Sequence, residues 1–198
     1  MPSSLPLIIC FGDSLTAGFR APTADDPTAG DAPYGGFLQD RLIGRAAVKI
    51  TGICGERTAE MVERFARDVV AFRPWHTVIL GGTNDLGWRI PPREIFRNLQ
   101  VMYARAAESG IQVTAVTVPS IRGADAYIPE RQELNALVLG HCAQHSLSCV
   151  DLFTATAEPE TYRLARAYSN DGLHLSVAGY RLLADLLYQQ VLDRSLPH

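Results

Sequence analysis

Short apolar runs alternate along this chain with longer stretches in which apolar positions recur every three or four residues. Leu7 to Phe11 is continuously apolar, the pattern of a strand buried on both faces, and comparable runs stand at Ala47 to Ile50, Thr77 to Leu80, Ile111 to Val118 and Ser148 to Leu152. Five strands are predicted. Between them the period is helical. Met61, Phe65, Val69 and Phe72 fall on one face of a helix that Pro74 stops. Ile95, Leu99, Met102 and Ala106 repeat the pattern after Pro91 and Pro92, which suit a helix start, and Gly110 stands where a C-cap belongs. Pro129 to Gln144 also reads as helix, with Leu134, Leu137 and Val138 on its buried face, and Ser176 caps a last helix lined by Tyr180, Leu183, Leu187 and Val191.

Parallel neighbours need a crossover connection, and helices of this length between strands supply it. The expected fold class is therefore α/β, with a five-stranded parallel sheet between two helical layers, a three-layer α/β/α sandwich. No internal repeat or long low-complexity stretch interrupts the alternation. The 198 residues, 47% of them apolar, suffice for one sizeable core, so a single domain over residues 1–198 is expected.

Charge removes several classes of partner. The 18 basic and 21 acidic residues are scattered, the formal net charge is −3, and no basic stripe is available to hold a nucleic acid backbone. Leu5 to Phe11 is too short to span a bilayer or to form a signal-peptide core, and no Lys or Arg precedes it. Stable membrane insertion is not expected, and a cytoplasmic location is. Cys10, Cys54, Cys142 and Cys149 show no CxxC spacing and read as buried thiols rather than as a disulfide frame or a zinc site.

In sheets of this kind ligands bind beyond the carboxyl ends of the strands, and the loops there carry the unusual residues. After the first strand comes Gly12-Asp13-Ser14-Leu15, in which a serine falls at a helix N-terminus, either as an exposed hydroxyl among free N–H groups or simply as a cap. Gly55 in "GICGERT" can present its N–H to a ligand or serve only as a turn residue. Asn84 in "GGTND" can aim its amide into the same crevice or close an Asx-turn. In Asp171-Gly172-Leu173-His174 the three-residue spacing lets a carboxylate reach imidazole Nδ1 and leaves Nε2 free to take a serine proton; the aspartate can equally bind backbone N–H groups. Of the other histidines, His141 and His145 lie four apart on a helix but lack a third ligand, His76 precedes the third strand at the wrong edge of the sheet, and His198 is terminal.

Together "FGDSLTAG", "GICGERT", "GGTND" and "DGLH" resemble the four sequence blocks of the SGNH hydrolases, the GDSL esterase/lipase family, from residue 8 to about residue 190. "HLSVAGYRLLADLL" also resembles the closing segment of that family. The resemblance implies a flavodoxin-like fold and a serine esterase that needs no cofactor and no metal. It makes Ser14 the nucleophile, His174 the general base and acid, and Asp171 its orienting partner, with Ser14 N–H, Gly55 N–H and the Asn84 amide as an oxyanion hole. The implied substrates are small-molecule carboxylic esters of short to medium acyl chains; thioesters, lysophospholipids and O-acetylated sugars use the same machinery.

Other residues are read around that scheme. Asp13 can bond nearby backbone N–H groups or help hold the turn and is not read as catalytic, and Cys54 is expected to make the enzyme sensitive to thiol reagents without acting as nucleophile. Residues 19–36 are expected to form a long loop beside the crevice, and Tyr34, Trp88 and the Ile121 to Tyr127 stretch to shape the pocket. Two other classes compete. Asp13, Asn84, Asp85, Asp171 and His174 could ligate metals for phosphoester hydrolysis, and the first strand-to-helix turn could hold an anion in a non-catalytic binding module.

Overall fold

The apolar run near the start of the chain becomes an inner strand. The computed structural model describes residues 5–24 and 26–196, so His198 lies outside the described residues. Strands β1 (Leu7–Gly12), β2 (Ala47–Gly52), β3 (His76–Leu80), β4 (Gln112–Val116) and β5 (Ser148–Val150) form one sheet, all parallel, in the order β2-β1-β3-β4-β5. This is the flavodoxin-like order, in which the direction of winding reverses beside β1. Ile8, Ile9, Cys10 and Phe11 are fully buried because helices cover both faces of the sheet. Gly12 pairs with Gly52 on one side and with Leu80 on the other, so the carboxyl ends of β1, β2 and β3 stop at one level.

The main helices are α1 (Ser14–Ala17), α2 (Tyr34–Arg41), α3 (Thr58–Asp68), α4 (Thr83–Gly87), α5 (Pro92–Glu108), α6 (Ile128–His145), α7 (Leu152–Thr156) and α8 (Val177–Leu187). Helix α2 packs on α8, whereas α3, α5 and α6 pack side by side. Right-handed crossovers require that split: the connection from β1 to β2 runs opposite to those that follow, so its helix lies on the opposite face. Among the described residues no helix is long and apolar enough to cross a membrane.

Several boundaries differ from the sequence expectation, each for a physical reason. The fourth strand ends at Val116 rather than Val118, because the side-chain amide of Asn135 pairs with the N–H and C=O of Val118, both at 2.9 Å. The fifth ends at Val150, because Asp151 caps α7 by accepting from Thr154 N–H. Strand β2 is an edge strand, only half-buried, with Ile50 exposed. Helix α3 ends at Asp68, and a 3₁₀ turn over Val70–Phe72 swings Phe72 off the buried face to lie under the Lys49 ammonium.

On α6, Leu134 and Val138 are buried but Leu137 is only half so. A π-helical turn over Tyr188–Leu192 shifts the register after α8, burying Leu192 in place of Val191. Helix α2 was not anticipated: the Gly35-Gly36 pair weakens its helix signal, and burial of Tyr34 and Leu38 holds it instead. The long loop is accordingly shorter than residues 19–36, and Tyr34 belongs to the core rather than to a pocket wall.

Candidate active site

Strand β1 stops where its backbone turns into α1. Asp13 makes that turn: it is fully buried, and its Oδ1 accepts from Leu15 N–H at 2.9 Å. Oδ2 has no partner, and burial pushes the carboxyl up to about 7, Arg131 partly opposing the rise. Ser14 follows as the first residue of α1, with 5% of its surface exposed.

His174 is delivered from the far end of the chain by the loop before α8. Its Nε2 lies 3.2 Å from Ser14 Oγ and its Nδ1 lies 2.8 Å from Asp171 Oδ2. With Nδ1 donating to the carboxylate, Nε2 carries the lone pair and the serine hydroxyl donates to it. Asp171 Oδ1 meanwhile accepts from the backbone N–H groups of Leu173 and His174, at 2.9 and 2.7 Å, so one carboxylate fixes both the ring and the turn that carries it. Burial opposes ionisation of Asp171, but these hydrogen bonds outweigh it and hold the carboxyl below its ordinary value. The edge of the Phe19 ring packs against the imidazole, with centroids 4.7 Å apart. Gly172 N–H donates to Ser169 Oγ, and Arg122 N–H donates to Gly172 O, which ties the loop to the segment after β4.

The second and third segments meet at Glu56. Gly55 sits at φ +79°, and no group among the described residues accepts from its N–H or from that of Ser14. Asn84, on the first turn of α4, donates one amide hydrogen to Glu56 O at 2.8 Å and has the other free. Gly82 allows α4 to begin there: its φ is +115°, and a Cβ would come within 3.0 Å of Leu134 and Ile95. Ile53 N–H donates to Gly12 O, which keeps the Gly55 turn beside the serine turn.

A buried ion pair that the sequence reading missed binds these parts together. Arg64 donates through Nε to both Glu56 oxygens, at 2.7 and 2.8 Å, and through Nη2 to Glu56 and to Gly12 O. Its Nη1 reaches Thr51 O and Asp68, and its guanidinium lies 4.1 Å from the Phe11 ring centroid. One side chain thus ties the ends of β1 and β2 to the residue after Gly55. Its sequence signal was an arginine at the helical spacing of the buried Met61 and Phe65 face.

A cavity of about 370 Å³ opens beside Asn84 and the residue before His174, lined by residues that include Asn84, Trp88, Ile121, Tyr127, Arg131 and Leu173. Trp88 and the Ile121 to Tyr127 stretch were expected to line a pocket; Arg131 was not. Arg131 also has a signal in retrospect, since it continues the buried stripe of Leu134 and Val138 on α6.

The metal scheme is not assembled. Asp85 points away, accepting from Thr58 N–H and Oγ1, and Asp13 is committed to its turn. Among the described residues no group of three or more His, Cys, Asp or Glu is placed to hold a metal ion. His141 and His145 stack at 4.2 Å beside Phe96 and Tyr103, and His76 is buried against Thr114 Oγ1. All four cysteines are free thiols, but Cys54 is exposed rather than buried, and partial burial with the nearby Asp31 and Asp13 raises its thiol above the ordinary value.

The arrangement can remove a proton from a hydroxyl and offer free N–H groups to the oxygen of an attacked carbonyl. Residues 10–182 match the model of the GDSL-like lipase/acylhydrolase family. A lipase/acylhydrolase from Enterococcus faecalis is 27% identical, with a TM-score of 0.76, the alignment covering 96% of this chain and 97% of that one. A GDSL-like lipase from Bacteroides thetaiotaomicron is 21% identical (TM-score 0.74; 93% and 86% covered). A catalytic mutant of an acetylxylan esterase from Geobacillus stearothermophilus is 20% identical (TM-score 0.75; 96% and 96% covered). No curated protein matches this sequence.

Proposed function

This chain belongs to the GDSL-like lipase/acylhydrolase family of ester hydrolases, and on that premise we propose that it cleaves carboxylic esters of short to medium acyl chains through an acyl-enzyme on Ser14. The observation that carries the reading is the unbroken hydrogen-bonded line from Ser14 Oγ through His174 to Asp171. A serine hydroxyl is a poor nucleophile until a base accepts its proton, and Nε2 of His174 is placed to do so as Oγ attacks the ester carbonyl. Negative charge then gathers on the carbonyl oxygen, where the N–H groups of Ser14 and Gly55 and the free amide hydrogen of Asn84 stabilise it. His174 returns the proton to the leaving alcohol, and water, activated by the same imidazole, releases the acid. Asp171 keeps the ring in the tautomer that presents Nε2 and stabilises the imidazolium as it forms.

The cavity lined by Asn84 and Leu173 fits an acyl or alcohol group of modest size, and we assign the whole chain to one hydrolase domain. The test is hydrolysis of p-nitrophenyl esters, from acetate to palmitate, by the wild type and by Ser14→Ala, with and without a chelator. Activity that vanishes with Ser14 and ignores chelator supports the mechanism. Chelator-sensitive activity that survives in Ser14→Ala overturns it.

A further inference from the structure

Arg131 is the largest fully buried side chain among the described residues, and it forms no ion pair with any of them. Nη1 donates to Pro119 O at 2.9 Å and, at 3.3 Å, to Thr83 Oγ1. Nε, which is buried, has no partner among the described residues, and Nη2 donates no hydrogen bond there, although that edge of a guanidinium forms a two-point fork for carboxylates. Among the described carboxyls, Asp13 is the one whose field acts on it. That group is itself pushed up to about 7, so near neutral pH it cancels only part of the arginine charge. Arg131, drawn down to about 10 by burial, stays protonated there. Taking an isolated guanidinium out of water costs several kcal/mol unless a counter-charge accompanies it. Here the unpaired cation lines the cavity that also contains Asn84 and Leu173, the neighbour of His174.

We propose that Arg131 is a specificity-determining residue, and that the substrate group entering this cavity carries a carboxylate. Trp88, Ile121 and Tyr127 offer apolar and aromatic walls to the carbon skeleton, while the guanidinium supplies the counter-charge that the protein itself leaves out. The ligand carboxylate regains through a charge-assisted hydrogen bond what it loses in hydration, and a neutral group of the same shape leaves the arginine unpaired. The carboxylate can belong to the acid side of the ester or to its alcohol, since the cavity touches both the Asn84 segment and the His174 loop.

This inference rests on the ester-hydrolase reading, so the experiment separates the two. Hydrolysis is followed by pH-stat for two isosteric pairs: monomethyl succinate against methyl 4-methylpentanoate for the acid side, and acetoxyacetate against isobutyl acetate for the alcohol side. In the wild type the carboxylated member of one pair is expected to have at least tenfold higher kcat/KM, and which pair shows it identifies the side. Arg131→Met is expected to reduce that ratio at least tenfold, with Arg131→Lys, which keeps the charge but not the fork, retaining part of it. Comparing ratios between variants cancels both intrinsic ester reactivity and any general loss of folded protein. A wild type that prefers neither carboxylated ester overturns the proposal without any variant, as does a ratio unchanged in Arg131→Met. If p-nitrophenyl acetate is hydrolysed in a Ser14-dependent way in either case, the esterase reading stands and this inference alone fails. No Ser14-dependent hydrolysis of any of these esters overturns both.

Discussion

Replacing Asn84 by alanine separates catalysis from folding at one position, because its amide has two hydrogens with different tasks. One donates to Glu56 O at 2.8 Å; the other is the donor assigned to the developing oxyanion. On the proposed mechanism the second acts in the transition state, in which the carbonyl oxygen carries charge, and loss of such a donor typically costs about 3 kcal/mol. At about 1.4 kcal/mol per decade, kcat is expected to fall by roughly 150-fold in Asn84→Ala. KM should change little, since the neutral ground-state carbonyl gains less from the donor. The first hydrogen contributes a net stability of about 1 kcal/mol, partly offset by the better helix propensity of alanine. For a chain of this size that is a fall of roughly 2–4 °C in the thermal midpoint. Asn84→Asp has the same shape but sets a carboxylate against Glu56 O and the oxyanion, so both activity and stability should fall further. Initial rates on p-nitrophenyl acetate give kcat and KM separately, and a thermal melt gives the midpoint. Unchanged kcat with raised KM in Asn84→Ala would refute the reasoning, as would a fall in kcat that merely tracks the folded fraction.

Two further substitutions test the electrostatics beneath the site. The folded state retains a proton on Asp13 between about pH 4 and 7 that the unfolded chain has released, so this group lowers stability as pH rises through that window, by at most about 1.4 kcal/mol per pH unit. Asp13→Asn keeps the capping oxygen and removes the charge; it should be close to neutral at pH 4 and stabilising at pH 8 by urea denaturation, and equal effects at the two pH values would contradict the burial argument. Arg64→Met strands the buried Glu56 carboxylate and removes the donor to Gly12 O, which should cost about 3–5 kcal/mol. Adding Glu56→Gln should recover part of that loss, and a single variant destabilised by less than about 1 kcal/mol would show that the pair holds little together.

The relation between sequence and structure differs from element to element. Long buried stripes were legible because burial imposes the helical period: Ile95, Leu99, Met102 and Ala106 all face the core. Boundaries decided by one distant side chain were not. Nothing within Ile111 to Val118 announces that Asn135, seventeen residues beyond Val118, will take its backbone groups and end the strand. Helix α2 escaped because the burial of Tyr34 and Leu38 overrides two glycines that local propensity counts against it. Arg64 and Arg131 were passed over for the opposite reason. A charged residue at a core position of a helix looks like a break in the pattern until its buried partner, or the lack of one, is seen.

Local sequence determined the α/β alternation and the four polar segments at strand ends, because period, capping and turn chemistry act over a few residues. It also placed Asp13 at its turn, where the carboxylate and the N–H it binds are two residues apart. The resemblance of the four segments to one family gave the reaction class. Only the tertiary structure decided that Ser14 and His174, 160 residues apart, come within 3.2 Å, since that distance depends on strand order, on helix packing and on the loop that Arg122 anchors. The environment of Arg131 was likewise settled by folding alone. Charge is written in the sequence, but whether a charge is neutralised depends on which groups the fold brings within a few ångströms of it.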